Sequence, residues 1–275
     1  MTDPTKPAQL QPLLQRHGFR FQKSLGQNFL IVRWVAPRMA AAALTDRQTG
    51  VLELGPGAGA LTVHLARAAG HVTALELDAG LLPVLAETLA PFDNTTVRQG
   101  DLLKTDLAAL CRDTLPQPRR IAMANLPYNI TTPAIYALLD AGCFEKIIVM
   151  VQKEVTDRLT APPCGDALTA FSMLVQLRAA VEPLFAVKAG CFTPKPRVDS
   201  AVVALTPLDP QPSRHCLDLV RAGFAQRRKT LANALTPMLG RGMAEEAVAR
   251  AGLHPGIRAE QMSAAQWRAL AGEGR

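Results

Sequence analysis

The stretch that decides the fold reads Val51-Leu52-Glu53-Leu54-Gly55-Pro56-Gly57-Ala58-Gly59. Its first four residues form a short, mainly apolar run, which is typical of a buried strand. The glycines that follow permit a tight turn and let the backbone approach a ligand closely. A strand that ends in such a loop is a nucleotide-type signal, although many turns look similar. We predict a helix from the end of this loop through Ala69.

The glycine loop departs from the dinucleotide-binding pattern G-x-G-x-x-G. Pro56 also removes one backbone N–H from the loop, which makes a pyrophosphate cradle less natural. The next apolar run, Val72–Leu77, predicts a second strand with Glu76 at its end. An acid at this position can bind both hydroxyls of a ribose. The alternative is an exposed strand-end carboxylate without a ligand.

Three further strands continue the alternation of strands and helices. The third begins at Thr96 and ends before Asp101, the fourth is 121–124 and the fifth is 147–151. Asp101 either accepts a hydrogen bond from an adenine amino group, with Leu102 against the ring, or caps a turn. This order predicts an α/β fold with a doubly wound sheet and right-handed crossovers. Ligands bind at the carboxyl edge of such sheets.

Asn125-Leu126-Pro127-Tyr128 follows the fourth strand and offers the groups that suit a reaction. Asn125 has a side-chain carbonyl acceptor, and Pro127 pushes Leu126 toward an extended conformation. The backbone carbonyls of Leu126 and Pro127 can then face outward as further acceptors. Tyr128 offers a flat face on which a base can stack. Acceptors beside such a ring suit the exocyclic amine of adenine, because they stabilise its developing positive charge. The alternative is a tight proline turn with a packed tyrosine.

The segment before the first core strand contains a loose tail or short helix over residues 1–17. Gln27 and Asn28 then present side-chain amides directly before the apolar pair Phe29 and Leu30. These amides hold a small polar ligand or begin a helix, and spacing alone favours the helix start. A helix is predicted from residue 32 to residue 44.

The segment Phe192–Ser200 is predicted to be a rigid, proline-containing loop before a last strand at 201–205. Phe192 is a candidate for a second aromatic wall around the target base. Lys195 and Arg197 are candidates for contacts with RNA phosphates. The alternative is a hairpin loop with solvated charges.

A linker is predicted at 206–212, with a domain boundary near residue 208. Residues 1–208 would form the catalytic domain, and 209–275 a small helical domain that binds RNA. In the second domain Gln226–Thr230 is predicted to lie on a helix. Its cations Arg227, Arg228 and Lys229 would spread around that helix, so that some reach a backbone phosphate.

Composition limits the class of protein. The 275 residues carry a net charge of +7, and 48% are hydrophobic, which supports a substantial core. Cations dominate residues 1–50 and 191–275, whereas acids dominate 51–190, a distribution that suggests a catalytic centre between flanks that bind a polyanion. The five cysteines form no C-x-x-C pair, which fits a reducing cytoplasm. We expect neither a signal peptide, a membrane span nor a metal site.

In these segments the chain resembles the ribosomal RNA adenine N6,N6-dimethyltransferases, and most closely the bacterial branch that acts on 16S rRNA. The resemblance covers about residues 19–270, and it is specific because all its motifs occur in one order. The segments that carry it are Ser24–Leu30, Glu53–Gly59, Glu76, Gly100-Asp101, Asn125–Ile130, Gln152–Val155, Phe192–Ser200 and Gln226–Leu231.

The resemblance implies S-adenosyl-L-methionine as the methyl donor. By analogy, Gln27, Asn28 and Leu30 cover the donor, and Gly55 and Gly57 approach its methionine part. Glu76 would hold the ribose, Asp101 and Leu102 the adenine, and Asn125 would bridge the donor and the target amine. The implied reaction is direct methyl transfer to N6 of two adjacent adenosines near the 3′ end of 16S rRNA, within the small ribosomal subunit. The enzyme would be a cytoplasmic monomer with a role in subunit biogenesis.

The chain departs from the family in one place and leaves other classes open. The family usually carries Tyr-Gly near Cys164–Leu168, and this chain lacks it, which puts the closing role of that segment in doubt. One alternative is the 23S rRNA dimethyltransferase of the macrolide-resistance type. Another is a ribosome assembly factor whose methylation is secondary. A nicotinamide dehydrogenase is disfavoured by the glycine spacing and by the Asn125–Tyr128 stretch.

Overall fold

A seven-stranded sheet forms the centre of the fold, in a computed structural model that describes residues 3–22, 25–43 and 46–273. Ser24 of the first motif and the predicted helix end at Leu44 lie outside these residues. The strands are β1 Phe29–Leu30, β2 Thr49–Leu54, β3 His71–Glu76, β4 Thr95–Gln99, β5 Arg119–Asn125, β6 Lys146–Gln152, β7 Ala179–Val187, β8 Phe192–Thr193 and β9 Ser200–Pro207. The α-helices are α1 Pro7–Arg16, α2 Val35–Ala42, α3 Thr62–Ala68, α4 Leu82–Leu89, α5 Leu107–Thr114, α6 Thr131–Asp140, α7 Lys153–Leu159, α8 Ala170–Gln176, α9 Arg214–Ala225, α10 Leu231–Leu239, α11 Arg241–Arg250 and α12 Ala264–Leu270.

The strand order of the large sheet is β4-β3-β2-β5-β6-β9-β7. Strands β2 to β6 pair in parallel, and β9 runs antiparallel to β6. The chain builds outward from β2 through β3 to β4, and then returns to the other side of β2 as β5. The order therefore reverses between β2 and β5, which is the switch point where doubly wound sheets bind ligands. The predicted α/β fold with a doubly wound, Rossmann-like sheet is confirmed.

The core forms around β2 because this strand is apolar and lies inside the sheet. All of its residues are buried, so both faces of the sheet are covered there, as is usual for parallel strands. Val51 lies beside Val72 of β3 and Ile121 of β5. These side chains join one hydrophobic cluster with residues of α2 and α3, including Met39 and Leu65.

Two short strands and one edge strand do not appear in the sequence-based prediction. β1 pairs with β8, so Leu30 lies opposite Phe192. Gln27 and Asn28 therefore precede a strand, and the helix start favoured from their spacing is wrong. The edge strand β7 contains Pro183, which disguises it in the sequence because proline is tolerated only at sheet edges and bulges.

The contacts divide the chain into two compact units. The first contains Met1–Lys153 and Glu182–Thr206, and the second contains Glu154–Val181 and Pro207–Arg275. The second unit thus includes a segment that the sequence-based division placed in the catalytic domain. Within this unit the backbone N–H of Cys164 donates to the carbonyl of Glu260, and Arg227 donates to the carbonyl of Leu168. The predicted functions of the two parts stay predictions.

The segment Gln226–Thr230 lies in a turn, so its predicted helical position is wrong. α9 ends at Ala225, and Gln226 leaves the helical backbone region with φ −129° and ψ 53°. Thr230 is extended and precedes α10, as expected for a residue at a helix N-cap. Among the described residues, no helix is long and apolar enough to cross a membrane.

Gly223 allows close packing inside the second unit. A Cβ at this position of α9 would lie 2.6 Å from Cη2 of the buried Trp267. Gly223→Ala should therefore lower the free energy of unfolding by about 1–3 kcal/mol, a typical cost of overpacking. Urea unfolding would measure this change.

Gly242→Ala in α11 is the matched control, because a Cβ there meets no described atom within 4 Å. The substitution then acts only through the preference of alanine for helices, so the free energy of unfolding of this variant should stay unchanged or rise by up to ~1 kcal/mol. Equal destabilisation in both variants would contradict a steric conflict between Gly223→Ala and Trp267.

Candidate functional site

A cavity of about 250 Å³ lies at the carboxyl ends of β2, β3, β4 and β5. It is the place that the strand order singles out for a ligand. The structure brings most of the predicted site residues together around it. They are Gln27, Asn28, Leu30, Gly55, Gly57, Glu76, Asp101, Leu102, Asn125, Leu126 and Pro127. What these residues bind stays a prediction.

The glycine loop needs glycine for its backbone conformation and for its packing. Gly55 has a φ of +65° and Gly57 a φ of +61°, a region that other residues rarely adopt. A Cβ on Gly57 would also lie 2.8 Å from Cε1 of Phe29. The N–H of Gly57 donates to Glu76 Oε2 at 3.1 Å. The loop after β2 and the acid that ends β3 are therefore fixed relative to each other.

Glu76 is buried and ordered by backbone donors. Its second oxygen, Oε1, accepts the N–H of Asp78 at 2.9 Å. Burial raises the pKa of Glu76, and these hydrogen bonds to the backbone oppose that shift. Asp78 in turn accepts the side-chain amide of Gln27 at 2.7 Å. Gln27 thus lines the cavity while one end of its amide holds the turn after β3.

Asn125 is the last residue of β5, and its amide has a defined orientation. Nδ2 donates to the backbone carbonyl of Asn28 at 3.1 Å. Asn28 uses its own Nδ2 for the carbonyl of Gly26 at 2.9 Å. Since the nitrogen of Asn125 is engaged in this bond, its Oδ1 is the acceptor end of the amide, and the residue itself lines the cavity. Leu126 is held by a bond from its N–H to the carbonyl of Met150.

Asp101 caps a turn, one of the two functions that the sequence left open, and its contact with an adenine stays a prediction. Its Oδ1 accepts the N–H of Leu103 at 2.9 Å, and its Oδ2 lies 3.7 Å from Nζ of Lys104. It therefore caps the turn after β4. It also lines the cavity beside Leu102.

Tyr128 and Phe192 lie outside the cavity lining. Tyr128 is half-buried next to it, and its hydroxyl lies 2.9 Å from Oγ of Ser200. Phe192 is only 3% exposed and belongs to the hydrophobic cluster around β2. The ring of Phe192 is therefore buried in this structure. The arrangement of the two rings on either side of a base stays a prediction.

The cations predicted to contact RNA are exposed. Lys195 and Arg197 lie in the loop between β8 and β9, and Arg228 and Lys229 lie in the turn between α9 and α10. Arg227 is also exposed, although one of its nitrogens donates to a backbone carbonyl within the second unit. Their contacts with RNA stay predictions.

Among the cavity-lining residues that were not predicted as site residues are Glu53, Leu77 and Leu103. Leu77 and Leu103 are 47% and 46% exposed, so they present apolar surface beside Glu76 and Asp101. The sequence pattern that could have identified them is an apolar residue that follows a strand-end acid. Glu53 is 2% exposed, and its Oε2 has no hydrogen-bond partner in the part of the chain that the structure describes. Its signal was a carboxylate inside an otherwise apolar strand.

The doubly wound sheet, with a glycine loop at its switch point and acids at the ends of the next two strands, is a Rossmann-like fold that this chain shares with rRNA methyltransferases. The 23S rRNA methyltransferase ErmE has this fold, with a TM-score of 0.69 and 26% identity, and the likeness covers 89% of this chain and 98% of that one. A dimethyladenosine transferase from Plasmodium falciparum shares the fold with a TM-score of 0.76 and 23% identity, covering 86% of this chain and 93% of the other.

The family model for ribosomal RNA adenine dimethylase matches residues 18–273. The chain belongs to this family. A relative from Lactiplantibacillus plantarum, named ribosomal RNA small subunit methyltransferase A, is 43% identical over 95% of this chain and 92% of its own length. A protein of the same name from Geobacillus kaustophilus is 40% identical over 98% of this chain and 96% of its own length.

The buried Glu53 should make stability depend on pH. Burial raises the pKa of Glu53 from 4.5 to about 8, so the folded protein keeps a proton that the unfolded chain releases. This proton stabilises the fold at low pH, and the contribution is lost as the pH rises from 4.5 through about 8. Glu53→Gln is neutral throughout, so its urea midpoint should fall less than that of the wild type between about pH 5 and pH 9.

The exposed Glu182 provides the control for this measurement. Glu182→Gln should retain the pH dependence of the wild type. If Glu53→Gln also retained the full pH dependence of stability, the buried carboxyl group of Glu53 would not be the source of that dependence.

Proposed function

We propose that this protein transfers methyl groups from S-adenosyl-L-methionine to N6 of two adjacent adenosines near the 3′ end of 16S rRNA. The observation that carries the proposal is Asn125, which lines the cavity at the switch point of the sheet and whose amide is oriented by the bond from Nδ2 to the carbonyl of Asn28. The relatives named ribosomal RNA small subunit methyltransferase A support the small subunit as the substrate particle.

The cavity fits a nucleoside that carries an amino acid. Glu76, at the end of β3, suits a ribose because a carboxylate can accept both hydroxyl hydrogens. The exposed Leu77 and Leu103 suit the faces of an adenine ring, and Asp101 suits its amino group. A Cβ on Gly57 would meet Phe29, so the glycine keeps the loop close to the ligand space. When bound, S-adenosylmethionine supplies an electrophilic methyl group.

The residues after β5 would hold the target amine. Nδ2 of Asn125 is engaged with Asn28, so Oδ1 accepts a hydrogen of the adenine N6 group. The carbonyls of Leu126 and Pro127 are the further acceptors in this proposal. Such acceptors stabilise positive charge as it develops on N6. They also orient the lone pair of the nitrogen, and orientation itself lowers the barrier. Tyr128 would support the unstacked base.

The exposed cations would hold the RNA. Lys195 and Arg197 belong to the first unit, which also contains the cavity, and suit phosphates near the target base. Arg228 and Lys229 lie on the second unit and suit other phosphates of the RNA. Binding should weaken with salt, because each neutralised phosphate releases counterions.

The 23S rRNA dimethyltransferase is the second candidate. ErmE supports this alternative, because the structural match between ErmE and this protein covers most of both chains. Its 26% identity is lower than the 43% of the small-subunit relative. We therefore favour the small-subunit RNA and treat the large-subunit RNA as the competing substrate.

Asn125→Ala tests the acceptor. Removing one preorganised polar group from a transition state commonly lowers the rate by about 10²–10³. We expect a loss of that size in single-turnover methyl transfer, with donor affinity, measured by calorimetry, still detectable. Asn233→Ala removes an exposed amide from α10 and should leave both quantities unchanged. Near-normal transfer by Asn125→Ala would refute the proposed acceptor.

Substrate and chemistry can be tested together with radiolabelled S-adenosylmethionine. The substrates are small ribosomal subunits that lack adenine dimethylation, with large-subunit RNA in parallel, and nucleoside analysis identifies the product. N6,N6-dimethyladenosine in small-subunit RNA alone would support the proposal. Label in large-subunit RNA alone would favour the second candidate, and no label in either would contradict both.

A further inference from the structure

The Asn125–Tyr128 segment is held at both of its ends. At one end, the amide of Asn125 donates to the carbonyl of Asn28. At the other end, the hydroxyl of Tyr128 lies 2.9 Å from Oγ of Ser200, within hydrogen-bond distance. The two holding segments are linked to each other, because Leu30 of β1 pairs with Phe192 of β8.

Ser200 is a firm anchor because the surrounding backbone fixes it. It is 0% exposed and begins β9, where it lies opposite Gln152 of β6. The preceding Asp199 accepts the N–H of Ala189 at 2.9 Å, and its carbonyl accepts the N–H of Lys153 at 3.0 Å. The hydroxyl of Ser200 is therefore presented from a rigid strand end.

We propose that Ser200 is a positioning residue that fixes the ring of Tyr128 for stacking on the target base. This inference rests on the proposed methyl transfer. A tyrosine ring rotates about two side-chain bonds, and the neighbours of a half-buried ring restrain these rotations only in part. The phenolic oxygen lies on the axis of the second bond, so a hydrogen bond to it restrains the rotation about Cα–Cβ, which sets where the ring lies. The tilt of the ring about the second bond is left to the packing around it. Asn125 and Tyr128 then hold the amine and the base face in one fixed relation.

Ser200→Ala and Tyr128→Phe each remove this hydrogen bond and keep the ring. Each should lower the single-turnover rate of methyl transfer about 3- to 10-fold, the range of one neutral hydrogen bond. The double variant should be no slower than either single variant, because both remove the same interaction. Ser200→Thr keeps the hydroxyl and should restore most of the rate. Donor affinity should change less than about twofold.

Thr73→Val is the matched control for losing a buried hydroxyl. Thr73 lies in β3, and its hydroxyl donates to that of Thr114 at 2.8 Å. This variant should lose stability as Ser200→Ala does, while its transfer rate stays at the wild-type value. An equal loss of transfer rate in Thr73→Val and Ser200→Ala would mean that Ser200 has only a structural role. Additive losses of rate when Ser200→Ala and Tyr128→Phe are combined would exclude a shared hydrogen bond.

Tyrosine ring signals in the NMR spectrum test the contact without methyl transfer. The chain has two tyrosines, so Tyr128→Phe assigns both sets of ring-labelled signals. Ser200→Ala should shift the Tyr128 signals and leave those of Tyr136 in place. Unchanged Tyr128 signals would refute the tether even if the wild type proved inactive. A wild type without transfer to either RNA would refute the proposed function instead.

Discussion

The parallel pairing of β2 with both β3 and β5 is the constraint on which the site depends. It aligns Leu54 with Leu75 on one side and with Ala124 on the other. The residues that follow these positions, Gly55, Glu76 and Asn125, must then meet at one edge of the sheet. A shift by one residue would turn each side chain to the opposite face. The apolar cluster around Val51 opposes such a shift, because the shift would displace the buried side chains of β2 from their packing.

The same edge places two acidic side chains in a mostly apolar setting. Burial raises the pKa of both Glu53 and Glu76, and Glu76 also raises the pKa of Glu53. Ionising these buried acids costs folding free energy. A ligand that brings positive charge would lower both pKa values and recover part of this cost. The methyl donor of the proposed reaction is such a ligand, which links the electrostatics of the cavity to the class of cofactor.

The sequence revealed the parts of this arrangement that depend on local pattern. The apolar runs predicted the central strands, and the strand-end residues predicted the lining of the cavity. The sequence did not reveal contacts between distant segments. The pairing of Leu30 with Phe192 joins short strands without a periodic signal, and the turn at Gln226 depends on tertiary contacts such as the bond from Arg227 to Leu168. Glu53 was predicted only as part of a motif, because its burial depends on the whole sheet.

Long-range contacts of this kind would let the proposed site work with amide and carbonyl groups in place of a strong base. A neutral acceptor assists the reaction only while it points at the amine, since its charge is small and directional. Asn125 is oriented by Asn28, which lies 97 residues away, and Tyr128 by Ser200, which lies 72 residues away. Both partners belong to segments joined by the β1–β8 pair. The fold thus gives Asn125 and Tyr128, the proposed acceptor and stacking ring, a common frame that the local sequence around Asn125 alone does not provide.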